Sequence, residues 1–237
     1  MMLRTSCTLA AAATFVCVAT TAAAASIATL RVRVDHFARG GEMPQRFAVC
    51  IPKPGVHMGF GRDINPAVSW SKGPSGTQSY SVLLEDTDSP AEHRDWMNQP
   101  GKTLDASIQR RVFFHWVLVD IPANVNSIPE GEVSRGLVAH GKPASYSAIG
   151  VSGVNNYTMA FSGKPAMAGT YYGYDGPCPP WNDEVVHHYH FIVYALSVRK
   201  LELPPGFDGP AAMQAMQGKI LAEGQELGLY TTNPAKR

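Results

Sequence analysis

A chain of 237 residues with 20 Lys and Arg against 19 Asp and Glu offers no electrostatic footing for nucleic acid or an anionic membrane surface as partner. Its 22 Gly and 18 Pro, spread along the whole length, argue against long helices through most of it. No segment after the N-terminal one is long and apolar enough to span a bilayer.

The first residues read as an address. Met1–Thr5 holds one charge, Arg4; an apolar run follows from Cys7 to Ala19, and then come the small residues of Thr20–Ser26. A basic start, a short apolar core and an A-x-A end make a secretory signal peptide, with cleavage after Ala25 and with Ala23 and Ala25 as the small residues. The run is too short, and too diluted by Thr and Ser, for a membrane anchor. The expected product is therefore exported, periplasmic or secreted, and comprises residues 26–237 as one domain. About 210 residues are ample for one core and few for two. Arg4 leaves with the leader, so 19 basic residues then face 19 acidic ones. Cys7 and Cys17 leave too. Cys50 and Cys178 remain, an even pair in an oxidising compartment; whether they bond is open on sequence alone.

In chain order, Leu30–Phe37 alternates apolar and polar residues like a sheet strand with one wet face, and Phe47–Ile51 is short and apolar. Ser79–Leu84 and Val112–Ile121 are β-branched and aromatic, the second apolar on both parities as a doubly covered strand would be. Tyr157–Phe161 is a weaker strand candidate and His188–Leu196 a strong one. Turn chemistry separates them at Pro52–Gly55, Lys72–Gly76 and Asp175–Pro180. Residues 91–110 and 134–170 read as long loops. One helix is expected near Gly209–Gly224, where Met213, Met216, Ile220 and Leu221 recur at three- and four-residue spacing and Pro210 suits a first turn. These elements describe a β sandwich with one helix near the C-terminus.

Three places hold residues suited to chemistry. Glu85–Pro90 sets acids at the exit of a buried strand; taken alone, it is better read as an acidic turn. His115 lies inside an apolar strand, where a buried ring must find a partner. Gly173–Pro180 is a rigid Gly/Pro loop that feeds a strand opening with His187, His188 and Tyr189, and backbone N–H groups beside imidazole and phenol are oxyanion donors. A metal-dependent hydrolase is the rival reading, since Asp86, Asp88, His115, His187, His188 and His190 supply ligands suited to zinc. Against it, His187 and His188 point to opposite sides of a strand. The sequence also has no H-E-x-x-H helix and no G-x-S-x-G elbow.

In order and wording these segments resemble the phosphatidylethanolamine-binding (Raf-kinase-inhibitor-like) family: Asp86–Pro90 for its acidic D-P-D-x-P turn, His115-Trp116 for its H-W strand, Gly176–Pro180 for its G-x-P-P loop, and His187–Tyr189 for its H-x-Y strand. Asp63–Trp70 is similar to its N-x-S-P-x-L-x-W segment, and Ala215–Leu229 to the C-terminal helix of its bacterial branch. The resemblance spans about residues 45–230. It implies a mostly β fold, a large antiparallel sheet packed on smaller sheets, with a small pocket for an anion or phosphorylated headgroup and no catalytic machinery or cofactor. Asp86, His115, His187 and Tyr189 are expected to line that pocket, and Gly176, Pro177 and Pro179 to frame its mouth. His115, His187 and the Tyr189 hydroxyl are the expected donors, with Asp86 orienting an imidazole from behind. Family members also inhibit kinases or proteases, so a regulated protein partner is a further implication. Thr87 departs from the family's proline and Asn65 from its serine. Residues 91–111 are a longer insertion than bacterial members usually have, and they and the stretch 141–170 are expected to overhang the pocket. A protein whose ancestral pocket is empty is the remaining alternative.

Overall fold

The computed structural model describes residues 27–145 and 148–237; the expected leader, residues 1–25, lies outside them. Twelve strands and two helices follow in chain order. Short strands come first: β1 (Ala28–Thr29), β2 (Val32–Val34), β3 (Gly41–Glu42), the β4–β5 hairpin (Cys50–Lys53 and His57–Phe60) and β6 (Val68–Trp70). The long strands β7 (Ser79–Pro90) and β8 (Arg110–Pro122) precede β9 (Ser127–Ile128), β10 (Val151–Ser152) and the single-turn helix α1 (Tyr157–Ala160). Strand β11 (His187–Leu196), helix α2 (Gly209–Met216) and strand β12 (Ile220–Tyr230) complete the fold.

The main sheet has seven strands in the order β1-β12-β11-β7-β8-β10, with β3 also on β12. Its four long strands are antiparallel throughout, while β1 and β3 add to β12 in parallel and make the sheet mixed. A three-stranded sheet (β2-β6-β9) and the β4–β5 hairpin complete the expected mostly β arrangement. One core fills the space between the main sheet and the small ones, around Phe47, Trp70, Leu84, Trp116, Phe191 and Tyr230. A second lies on the opposite face, where α2 brings Ala212 and Met216 onto Leu83, Val117 and Leu196. Both faces of β7, β8 and β11 are covered, which is why those strands are apolar on both parities. Among the described residues no helix is long and apolar enough to cross a membrane.

Three local expectations change. The helix expected over 209–224 ends at Met216: Gln217 leaves helical geometry and Gly218 adopts φ +72°, a conformation in which Gly carries no Cβ penalty. The chain then enters β12, which pairs with β11 along its length. The inward positions of β12 include Ala222, Gly224 and Gly228, and a Cβ at Gly224 would lie 2.1 Å from the Leu30 carbonyl oxygen. With two glycines facing inward, β12 shows no alternating apolar pattern. Tyr157–Phe161 forms a helical turn rather than a strand, its Tyr157 N–H bonded to the Asn155 side chain at 3.0 Å. The acidic segment is no turn; β7 continues through it to Pro90.

Candidate functional site

The site forms where β7, β8 and β11 run side by side, and two β-bulges aim its side chains. Between Leu84–Glu85 on β7 and Trp116–Phe114 on β8 the register slips, leaving His115 as the extra residue. Between Asp86–Ser89 and Phe113–Arg111 it slips again, the extra residue now on β7. A bulge bends its strand and redirects the neighbouring side chains, so Asp86 and His115 both turn toward the same end of the sheet. On β11, Tyr189 pairs with Asp86, and His187 lies two residues away on the same buried face. His188 and His190 take the other face, where they reach Asp88 at 2.9 Å and Gln225 at 2.9 Å.

His187 is held at both ends. Its Nδ1 donates to Asp86 Oδ2 at 2.7 Å and its Nε2 to Asp183 Oδ2 at 3.2 Å. Burial alone would lower its pKa; the charge of Asp86 and the hydrogen bond to Asp183 overcome that and raise it to about 9, so the ring is an imidazolium at neutral pH. Asp86 shows the reciprocal effect. Burial would raise its pKa, but the His187 charge holds it well below the usual carboxylate range. Arg110 anchors the far side, with bonds of 2.6 and 3.0 Å to the two oxygens of Asp183 and one of 2.9 Å to the Asp88 carbonyl, the forked geometry that guanidinium favours.

His115 is buried and held from behind by an Nδ1 bond of 2.8 Å to the Asp175 carbonyl. A carbonyl only accepts, so Nδ1 carries a proton. The ring's Nε2 lies 3.9 Å from Asp86 Oδ2, beyond hydrogen-bond distance. Tyr189 is fully buried, with its ring 5.3 Å from that of His115. Among the described residues its hydroxyl has no hydrogen-bond partner of ordinary geometry.

Behind this group lies a second charged cluster. Lys142, Asp63 and Asp175 have fully buried side chains; the Lys142 ammonium bonds to Asp175 and lies 3.4 Å from Asp63 Oδ2. Asn155 donates to Asp175 Oδ2 at 2.6 Å and the Gly176 N–H to Asp63 Oδ1 at 2.7 Å. Burial raises the pKa of both carboxyls. Lys142 is also raised: burial opposes its charge, but the two acids outweigh it.

A cavity of about 710 Å³ opens over Asp86 and His187. Both long insertions reach it, one through Arg94, Asp95, Met97 and Asn98, the other through Tyr157, Ala160, Phe161 and Lys164. Cys178, Pro179 and Pro180 form one wall, and a disulfide joins Cys178 to Cys50 in the β4–β5 hairpin. Of the seven residues expected at the pocket, Asp86, His187 and Pro179 line the cavity. His115, Tyr189, Gly176 and Pro177 stand behind it; Gly176 packs against the Phe47 carbonyl, and Pro177 accepts the Cys50 N–H.

Two expectations about roles are corrected. Both N–H groups of His187 are committed to carboxylates, so that imidazole is not a free donor, and the Nδ1–H of His115 is committed to a carbonyl behind the cavity. Asp86 is not behind them but faces the cavity. Of the six residues of the zinc reading, Asp86 pairs with His187 and Asp88 with His188, while His115 and His190 turn to the Asp175 carbonyl and to Gln225; among the described residues no three His, Cys, Asp or Glu are arranged to hold a metal ion. Sequence reasoning missed Asp183, Arg110 and the Asp63–Lys142–Asp175 cluster. The apolar positions Met97 and Phe161 give the only legible hint that the two insertions have an inward face.

The comparisons with known proteins agree with this architecture. Residues 33–231 match the family model described as phosphatidylethanolamine-binding protein. A UPF0098 protein of Aquifex aeolicus is 30% identical over 208 residues, covering 86% of this chain and 98% of that protein. Escherichia coli YbcL is 26% identical over 178 residues, 74% of this chain and 77% of its own. The crystal structure of YbcL, described as a new member of the mammalian PEBP family, superposes with TM-score 0.61 at 22% identity over 86% of this chain and 99% of that one. That of the PEBP homolog CT736 from Chlamydia trachomatis superposes with TM-score 0.57 at 23% identity over 85% and 97%. With its family-model match over residues 33–231, this chain belongs to the phosphatidylethanolamine-binding protein family.

Proposed function

We propose that the protein is an exported binding protein rather than an enzyme, and that its cavity takes a phosphoryl group carried on an apolar body. The observation that carries this is the composition of the one cavity beside Asp86. Its floor is polar and its walls are Met58, Phe60, Met97, Phe113 and Phe161, with Arg94 and Lys164 also lining it. Apolar walls with a few placed polar groups are the ordinary makeup of a small-molecule site, and two cations complement a ligand of negative charge. Export is supported by the leader pattern and by the Cys50–Cys178 disulfide, a bond that persists in oxidising compartments.

The test is an NMR titration of the processed chain with inorganic phosphate and O-phosphorylethanolamine at millimolar concentration. Saturable shifts centred on Asp86, Ser89, Cys178 and His187, weakened in Lys164→Glu, are expected. Absence of any saturable shift would sink the reading and leave a family fold whose pocket is empty.

A further inference from the structure

The groups that face the cavity floor are mostly acceptors, and this has a consequence for which phosphoryl compounds fit. Asp86 Oδ1 accepts the Asp88 N–H at 2.8 Å and Oδ2 accepts His187 Nδ1–H at 2.7 Å. Each oxygen keeps capacity for one more donor. The carboxyl stays ionised at working pH because its pKa is held low beside the His187 charge, so it never donates. His187 has no proton left to give. His115 is pinned through Nδ1 to the Asp175 carbonyl and stands behind the cavity.

We infer that Asp86 selects phosphate monoesters in their monoanionic, still protonated form and rejects sulfate esters and phosphate diesters. This rests on the phosphoryl reading above and deepens it. A monoester monoanion, R–O–PO₂(OH)⁻, has one P–O–H to donate to Asp86 while its other oxygens face the cationic rim of Arg94 and Lys164. A sulfate ester or a diester has the same single charge and similar shape but no proton, and so sets an oxygen lone pair against a carboxylate. An unpaired buried acceptor pair of that kind is costly, and discrimination by a missing donor reaches several orders of magnitude where the site is desolvated.

Other groups that titrate or carry charge near Asp86 do not mask the effect. From β8 they are His115 and Arg110; from β11 and the loop before it, His187, His188, Tyr189 and Asp183; from β7 itself, Glu85 and Asp88. Arg94, Asp95, Tyr157 and Lys164 come from the segments over the cavity. His187 remains an imidazolium across pH 5.5–8, because its pKa is about 9. Any imidazole that does titrate in that range acts equally on a sulfate ester, which itself does not change.

The experiment is calorimetric titration of the processed wild-type chain with phenyl phosphate, phenyl sulfate and methyl phenyl phosphate at pH 5.5 and pH 8. A phosphate monoester loses its second proton at ~6, so its monoanion fraction falls roughly 75-fold between those pH values. Phenyl phosphate is expected to weaken by about that factor beyond any change in phenyl sulfate, and to bind at least about tenfold tighter than both proton-free esters at pH 5.5. Asp86→Asn, which places an amide donor at the floor, is expected to flatten the phosphate profile and improve the sulfate ester. The wild-type comparison decides the matter even if that variant does not fold. Equal binding of phosphate and sulfate esters at pH 5.5, or phosphate binding that holds or strengthens at pH 8, overturns the selection and leaves the anion pocket standing. No binding of any ester at either pH overturns both.

Discussion

Behind His115 lies the cluster of Asp63, Lys142 and Asp175, sealed from solvent; in front lie Asp86, His187 and Asp183, with one side open to the cavity. Both hold two carboxylates and one cation. In the rear cluster the capacity of each group is met from within, by Asn155, Ser134, the Gly176 N–H and the ions themselves. In the front cluster Asp86 keeps capacity for another donor, and among the described residues the Tyr189 hydroxyl has no hydrogen-bond partner of ordinary geometry. The same buried-ion chemistry thus serves two purposes. A network satisfied internally fixes geometry, here the backbone that exchanges hydrogen bonds with His115 through Asp175. A network left incomplete toward a cavity is prepared for something to enter.

The comparison is broken most forcefully from the rear. Lys142→Met removes the cation and leaves Asp63 and Asp175 buried side by side. Stripping one partner from a buried ion group costs about 3–5 kcal/mol, and a drop of that size in urea-denaturation stability is expected. A change under about 1 kcal/mol would show that the rear cluster is not the rigid support described. Next comes the joint between the clusters. The Cys50–Cys178 bond closes a loop of 128 residues and fastens the loop carrying Asp175 to the hairpin at the cavity rim. The double change Cys50→Ser, Cys178→Ser should cost roughly 2–5 kcal/mol and weaken phenyl phosphate binding, because the wall formed by Cys178 and Pro179 is freed. Unchanged affinity in the folded double variant would place the disulfide outside the binding function.

How much of this the sequence made legible follows from the same contrast. The strands with dense β-branched and aromatic residues, β7, β8 and β11, were readable; the shared face of His187 and Tyr189 follows from a two-residue period, whereas His115 is the extra residue of a bulge and its direction is set by that slip in register. Strand β12 was not, because Ala222, Gly224 and Gly228 fill its inward positions and Met213–Leu221 mimics a helical stripe across the α2–β12 junction. The rear cluster was illegible for another reason. Lys142 sits in a stretch that read as a long loop, Asp63 opens a segment noted only for its family likeness, and their burial depends on contacts across 33 and 79 residues. Asp183 and Arg110 were hidden likewise: an acid in Asn182–Glu184 and a base beside Arg111 look like ordinary surface until the fold joins them 73 residues apart.

The front cluster can be titrated. His187 has its pKa raised from 6.5 to about 9, so its ion pairs contribute fully below pH 6.5 and are lost as pH rises through about 9. At 1.36 kcal/mol per pKa unit this amounts to about 3 kcal/mol between pH 6 and pH 10. Denaturation at those two pH values should show that loss in the wild type and not in His187→Gln, and the His187 ring resonances should titrate near pH 9. A ring titrating near 6.5 would mean that Asp86 and Asp183 do not clamp it.

The smallest expected effect on stability is the most diagnostic of purpose. Tyr189→Phe deletes one buried hydroxyl that has no hydrogen-bond partner among the described residues. A hydroxyl that contributes to the fold costs about 1 kcal/mol when removed; one left unsatisfied costs nothing to lose and can even stabilise on removal. The variant should therefore match or slightly exceed the wild type in denaturation midpoint and, because the ring stands behind the cavity rather than lining it, bind phenyl phosphate with unchanged affinity. Stability and affinity falling together would mark Tyr189 as part of the scaffold. Affinity falling alone would mark it as a donor kept unpaired for a ligand, which is the distinction between the two clusters reduced to a single oxygen atom.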